Sequence, residues 1–192
     1  MEADLLLQIL NFIHPLSAHL QERIKSCLIE EIQPKKHLLL RAGDVSRKIY
    51  FMKTGFARAW YQTRSGKECT NWFMGQGDLM ISVYSFYMQQ PSGENIELLE
   101  NSTIQSMSWT SVQGIYADFP EFNLIGRILT EKYYIASEQR ALLLRTGTAL
   151  ERYELLLQMH PHILQKAPLC HIASHLNVSH EALSRIRNRQ FQ

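Results

Sequence analysis

Histidine is absent between His37 and His160, and cysteine occurs only at Cys27, Cys69 and Cys170, far apart and in no Cys-x-x-Cys pair. The wide cysteine spacing excludes a thiolate-bound zinc or iron–sulfur site. The histidine gap removes the imidazoles that a cupin-like metalloenzyme needs on the strands of its barrel. Lysine and arginine are missing from Glu68 to Gly126, a segment that carries Glu68, Asp78, Glu94, Glu97, Glu100, Asp118 and Glu121. No Gly-x-x-x-x-Gly-Lys loop, Gly-x-Ser-x-Gly elbow or His-Glu-x-x-His motif occurs, so the common signatures of phosphate-binding, hydrolase and metalloprotease chemistry are missing. Nothing here asks for a metal or a cofactor, and the chain does not read as an enzyme. No stretch approaches the roughly 20 apolar residues needed to span a membrane. The acidic start Met1-Glu2-Ala3-Asp4 and the short Leu5-Leu6-Leu7 run differ from a secretion signal, which places the protein in the cytoplasm. A net charge of +2 over 192 residues does not by itself argue for nucleic acid.

What is present is a change of texture along the chain. Leu6, Ile9, Leu10 and Ile13, then Pro15 as a break, then Leu20, Ile24 and Leu28 carry helical spacing up to about Glu31. From Lys35 to Trp109 short β-branched and aromatic runs alternate with turns such as Ala42-Gly43-Asp44, Lys53-Thr54-Gly55, Arg64-Ser65-Gly66-Lys67 and Gly75-Gln76-Gly77-Asp78. The expected strands are Lys36 to Arg41, Lys48 to Lys53, Phe56 to Thr63, Glu68 to Phe73 and Ser102 to Trp109, a pattern of a sandwich or small barrel. After Pro120 the pattern is helical again. Ile128, Ile135 and Leu142 recur every seven residues with Ile125, Leu129 and Leu143 beside them, one apolar stripe about five turns long. Such a stripe packs either on its twin in a dimer or on its own β-domain.

The most informative segment runs from Pro168 to Arg187. Leu169, Ile172, Ala173 and Leu176 form one apolar stripe of a first short helix, Asn177 and Val178 make a turn, and Ser179 is an N-cap for a second helix with Leu183 and Ile186 inward. The outward face of that second helix holds His180, Glu181, Ser184, Arg185 and Asn188. A helix-turn-helix inserts the N-terminal half of such a helix into the major groove. Arg185 can hold guanine O6 and N7, and Glu181 can accept from cytosine N4; Arg187 and Arg189 suit phosphates. The plainer alternative is a helical hairpin with a solvated Glu181–Arg185 pair. His171 and His175 have the i, i+4 spacing of a metal pair, but no third ligand is evident, and a solvated polar face of the first helix is the expectation.

Helices, a glycine-punctuated β-roll, a long helix and a helix-turn-helix, in that order, resemble the Crp/Fnr family of bacterial transcription regulators over essentially the whole chain. The resemblance rests on Leu38-Leu39-Leu40-Arg41-Ala42-Gly43-Asp44, on Ile49-Tyr50-Phe51-Met52-Lys53-Thr54-Gly55-Phe56-Ala57-Arg58, on Gly66-Lys67-Glu68, and on Phe73 with Gly77-Asp78. It implies an α+β fold: a cyclic-nucleotide-binding-like β-roll (double-stranded β-helix) with flanking helices at residues 1–120, a dimerisation helix at 121–147, and a small all-α helix-turn-helix domain at 148–192. It implies a homodimer on roughly palindromic double-stranded DNA, contact with RNA polymerase, and Ser179, His180, Glu181 and Arg185 at the family's base- and phosphate-contacting positions. The alternative is a ligand-sensing or interaction protein that kept the fold without DNA binding.

Two departures qualify the resemblance. Gly77-Asp78 is similar to the glycine-acidic pair that holds ribose in cyclic-nucleotide-binding members, but Glu94-Asn95 falls where an Arg-Ser or Arg-Thr pair neutralises the phosphate. A carboxylate 4 Å from that phosphate costs about 4 kcal/mol at an effective dielectric near 20, so a response to cyclic AMP is not expected, with Arg127 or a partner subunit as the remaining sources of a cation. An effector, if the β-domain takes one, is apolar and would lie among Phe73, Gly77, Asp78, Leu79, Met80, Tyr84, Glu94 and Asn95; a purely structural β-domain fits as well. The second departure is the segment between Met159 and Pro168, which looks helical where many relatives carry a β-hairpin wing. With the sequence ending at Gln192, this predicts fewer phosphate contacts and a greater reliance on dimerisation.

Overall fold

The computed structural model describes residues 4–190, with side chains through Asn188. Two short helices open it. In α1 (Leu5–Ile13) the Asp4 carboxylate accepts from the Leu6 N–H, and in α2 (Ala18–Cys27) the Ser17 hydroxyl accepts from Leu20, so each helix starts on a side-chain cap. Eight strands follow: β1 (Ile29–Gln33), β2 (Leu38–Leu40), β3 (Lys48–Thr54), β4 (Ala57–Gln62), β5 (Glu68–Met74), β6 (Leu79–Met80), β7 (Asn95–Leu98) and β8 (Ser102–Ser108), with α3 (Val83–Met88) between β6 and β7. They form two antiparallel sheets in the orders β1-β8-β3-β6 and β2-β7-β4-β5. Met52, Ala57, Met80, Ile96, Leu98 and Ile104 are fully buried and fill the roll between the sheets.

Glycine makes this roll possible at specific turns. Gly55, between β3 and β4, has φ +120°, and a Cβ there would collide with Ser102. Gly77 has φ +88° in the turn leading to β6, where the Asp78 carboxylate accepts from the Gly75 N–H at 2.8 Å.

The rest is helical: α4 (Trp109–Asp118), α5 (Pro120–Thr146), α6 (Ala149–Met159), α7 (Ile163–Lys166), α8 (Leu169–His175) and α9 (His180–Gln190). A second core joins Leu10, Leu20, Ile24, Ile115 and Ile125 of the helices to Phe51 and Phe86. The third is shared: Phe56, Phe73 and Leu99 of the roll pack with Tyr153, Leu156, Ile163, Ile172, Leu176 and Leu183 of the C-terminal helices. The C-terminal helices are therefore seated on the roll by apolar contact.

The expected strands all occur, with ends moved by one or two residues. The helical reading up to Glu31 is corrected: Ile29–Gln33 is β1, the outer strand beside β8, with Ile29 and Ile32 exposed. Ile29 and Ile32, three residues apart, keep helical spacing, so the sequence pattern does not tell this strand from the end of a helix. On α5, Ile125 is fully buried within its own protomer and offers no surface to a twin, and Leu129 packs on the same core. Ile135 and Leu142, 56% and 60% exposed, are the stripe residues left uncovered, together with Tyr134.

Candidate nucleic-acid interface

Pro168 precedes α8, and Ile172, Ala173 and Leu176 are buried, as the stripe requires. Asn177 takes a left-handed turn at φ +54°, a conformation asparagine tolerates better than most residues. The chain then enters α9, whose start is capped by Ser179: its hydroxyl accepts from the Ala182 N–H at 3.2 Å. Leu183 is buried and Ile186 half-buried against the same core, which fixes the rotation of α9 about its axis.

That rotation brings His180, Glu181, Ser184, Arg185 and Asn188 to the exposed side, with Ser179 exposed at the helix start. Hydrogen bonding to Ser179, more than the charges of His180 and Arg185, lowers the pKa of Glu181. Glu181 is thus a carboxylate at neutral pH, able to accept but not donate. No Glu181–Arg185 ion pair within 4 Å forms among the described residues. Arg187 departs from the expected set: its guanidinium engages Tyr153 in the domain core and its Nε is buried, so it lies off the exposed face. The Arg189 side chain lies outside the described residues.

The polar side of α8 is half-covered, with His171, Ser174 and His175 only partly exposed, which corrects the expectation of a solvated face for His171 and His175. It covers β5, an outer strand of its sheet. The Ser174 hydroxyl accepts from the Thr70 N–H at 2.9 Å and donates to the Glu68 carbonyl at 3.0 Å, meeting both edge groups of β5 as a neighbouring strand would. Arg58 on β4, 3% exposed, donates to Glu97 at 2.8 Å, to Glu68 at 2.6 Å and to His171 Nδ1 at 2.8 Å. Because arginine only donates, that imidazole nitrogen carries a lone pair and His171 is neutral. His175 lies against Phe73, and Arg140 of α5 donates to its backbone carbonyl at 3.3 Å. In the sequence, Arg58 reads only as part of a strand motif. A charge at an otherwise apolar strand position, Ala57-Arg58-Ala59, was the available signal. Among the described residues no group of three His, Cys, Asp or Glu is placed to hold a metal.

The residues considered for an effector do not share one cavity. Phe73 stacks on Phe56 and faces His160 and His175 in the shared core, whereas Met80 lies inside the roll and Tyr84 is exposed on α3. Leu79 donates its N–H to the Tyr133 hydroxyl of α5. Glu94 accepts from Asn71 at 3.2 Å, and Asn95 accepts from the Ala42 N–H at 3.0 Å, so this pair ties strands and turns together. Arg127 is exposed and pairs with Glu131 at 3.6 Å on α5.

No family model matches the sequence, and no curated protein matches it. Solved structures do match. FixK2 from Bradyrhizobium japonicum superposes with a TM-score of 0.72 at 16% identity, covering 84% of this chain and 83% of that one. A transcriptional regulator of the Crp/Fnr family from Eubacterium rectale gives 0.70 at 17% identity, covering 92% and 84%. CLP from Xanthomonas campestris, a c-di-GMP-responsive global regulator, gives 0.67 at 15% identity and covers 91% of each chain. With a β-roll, a long helix and a terminal helix-turn-helix in the same order, the chain has the fold of the Crp/Fnr transcription regulators.

Proposed function

We propose that this protein is a sequence-specific DNA-binding transcription regulator of the Crp/Fnr type that works as a cytoplasmic homodimer and does not respond to cyclic AMP. The observation that carries the reading is the division of α9: Leu183 and Ile186 face the core while Glu181, Ser184 and Arg185 stand exposed. An exposed arginine and a carboxylate one helical turn apart at the start of a capped helix suit adjacent base pairs in a major groove. Ser179 and Asn188 flank them.

Dimerisation through α5 is supported by the exposed Tyr134, Ile135 and Leu142, apolar side chains on one long helix that water does not favour. Two reading heads on one dimer select a roughly palindromic site and gain affinity through effective concentration. Against cyclic AMP stand Glu94, the lack of any lysine or arginine from Glu68 to Gly126, and the engagement of buried Arg58 by Glu68 and Glu97. No helix among the described residues is long and apolar enough to cross a membrane.

The test is selection of bound fragments from random and genomic DNA by the purified protein without added ligand. An enriched inverted repeat is the expected outcome; absence of enrichment, with or without cyclic AMP, contradicts the reading. Sedimentation of Ile135→Asp and Leu142→Asp variants checks the dimer, which both substitutions should dissociate.

A further inference from the structure

The seam between α8 and the roll holds more ionisable groups than a passive contact needs. Three imidazoles lie in it. His171 accepts from Arg58, itself held by Glu68 and Glu97; Cys170 Sγ lies 3.7 Å from the same imidazole. His175 sits between Phe73 and Arg140, with its Nδ1 buried and without a hydrogen-bond partner. His160, the C-cap of α6, packs edge-on to Phe56 and Phe73 and feels the Asp78 carboxylate. Arg140 donates to the Asn71 side chain and the His175 carbonyl, and Tyr61 and Cys69 lie near it. Glu68 and Glu97 thus lie at the Arg58 end of the seam, Asp78 near His160 and Glu94 beside Asn71, while His175 has the Arg140 guanidinium beside it.

We infer that this seam is a proton-sensitive clamp: neutral His175 lets α8 dock on the edge of β5 and hold the reading head in place, and protonation of His175 releases it. The inference deepens the proposed function, since it concerns how the head carrying α9 is positioned. Its physical basis is that Nδ1 is buried and unpaired near the Arg140 guanidinium, so a proton there adds a second desolvated cation, a cost that the backbone carbonyls of Thr70 and Asn71 beside the ring offset only in part. His171 adds in the same sense, because a proton on its Nδ1 would displace the Arg58 hydrogen bond. Burial first, then Arg140 and His160, push His175 down to about 3 from 6.5. A group depressed in the docked state favours docking above its free value and opposes it as pH falls through 6.5 toward that lowered value. Each pH unit below 6.5 therefore shifts docking about tenfold for this one imidazole.

The Thr70 amide reports docking directly, because it donates to Ser174 across the seam. Hydrogen exchange of the full chain without DNA, corrected for intrinsic exchange, is compared at pH 7.5 and 5.5 for the native protein and for His175→Gln. In the native protein the Thr70 protection factor falls at least tenfold on acidification while β8 amides stay protected. In His175→Gln the fall is about tenfold smaller. Equal pH dependence in the two proteins overturns the clamp, as does unchanged native protection. Should His175→Gln lose protection in β8 as well, His175→Asn replaces it: the clamp predicts a Thr70 fall about tenfold smaller than the native one, and an equal fall overturns it. The readout involves no DNA, so failure of the DNA-reading proposal leaves this test standing.

Discussion

Helices α8 and α9 carry polar faces of similar texture, each with histidine and serine at helical spacing, yet one is covered and the other is open. His171, Ser174 and His175 meet the unpaired edge of β5, while His180, Glu181, Ser184 and Arg185 meet solvent. A polar face on an amphipathic helix therefore specifies a polar environment, which water or a strand edge can supply equally well. The two also differ in charge state: the α8 histidines have pKa values lowered by burial, whereas Glu181 is held ionised by its cap. The covered face positions the head, and the open face is the one available to a partner.

Substitutions on the two sides should separate these roles. Arg58→Ala should have the largest effect, about 3 to 5 kcal/mol of stability in a denaturant titration, because it leaves Glu97 and Glu68 without their buried counter-charge. A loss below 1 kcal/mol would mean that water replaces the guanidinium and that the seam is loose. Arg185→Ala should leave the denaturation midpoint unchanged and weaken binding to the selected DNA by about 1 to 3 kcal/mol, with specificity relaxed at one base pair. An equal loss on every sequence would reassign Arg185 to phosphate. Smaller effects follow for the two serines. Ser174→Ala should cost about 1 kcal/mol by stranding the Thr70 N–H and the Glu68 carbonyl. Ser179→Ala should cost about 1 kcal/mol through the lost N-cap. Ser174→Ala alone is expected to speed Thr70 amide exchange.

Much of this architecture is legible in the residues. Gly55 and Gly77 mark turns because their backbone angles suit glycine, and Ile172, Ala173, Leu176 and Leu183 mark the helix-turn-helix because 3.6-residue spacing puts them on one side. Strand β7 went unread, although Ile96 and Leu98 are fully buried, since four alternating residues after Pro91-Ser92-Gly93 look like a loop. Helices α3 and α4 were equally hidden: aromatic and serine-rich segments suit either strand or helix until tertiary packing decides. The seven-residue stripe of α5 was visible, but not its split into Ile125, buried at home, and Ile135 and Leu142, left open. That split depends on which elements cover each side of the helix: Ile125 packs in the core with α1, α2 and α4, Tyr133 and Arg140 face the roll, and Ile135 and Leu142 face neither, a tertiary fact. The outward set on α9 followed from local spacing alone, whereas the α8 histidines and Arg58 required knowing that β5 is an outer strand.

The central claim is that the open face of α9 reads DNA. The most direct measurement is the affinity of the native protein and of Arg185→Ala for the selected inverted repeat and for a scrambled duplex at the same salt concentration. The account predicts that the native protein prefers the repeat and that Arg185→Ala loses about 1 to 3 kcal/mol of this preference while its binding to the scrambled duplex is unchanged. Equal native affinity for both duplexes, or an Arg185→Ala variant as selective as the native protein, would contradict it.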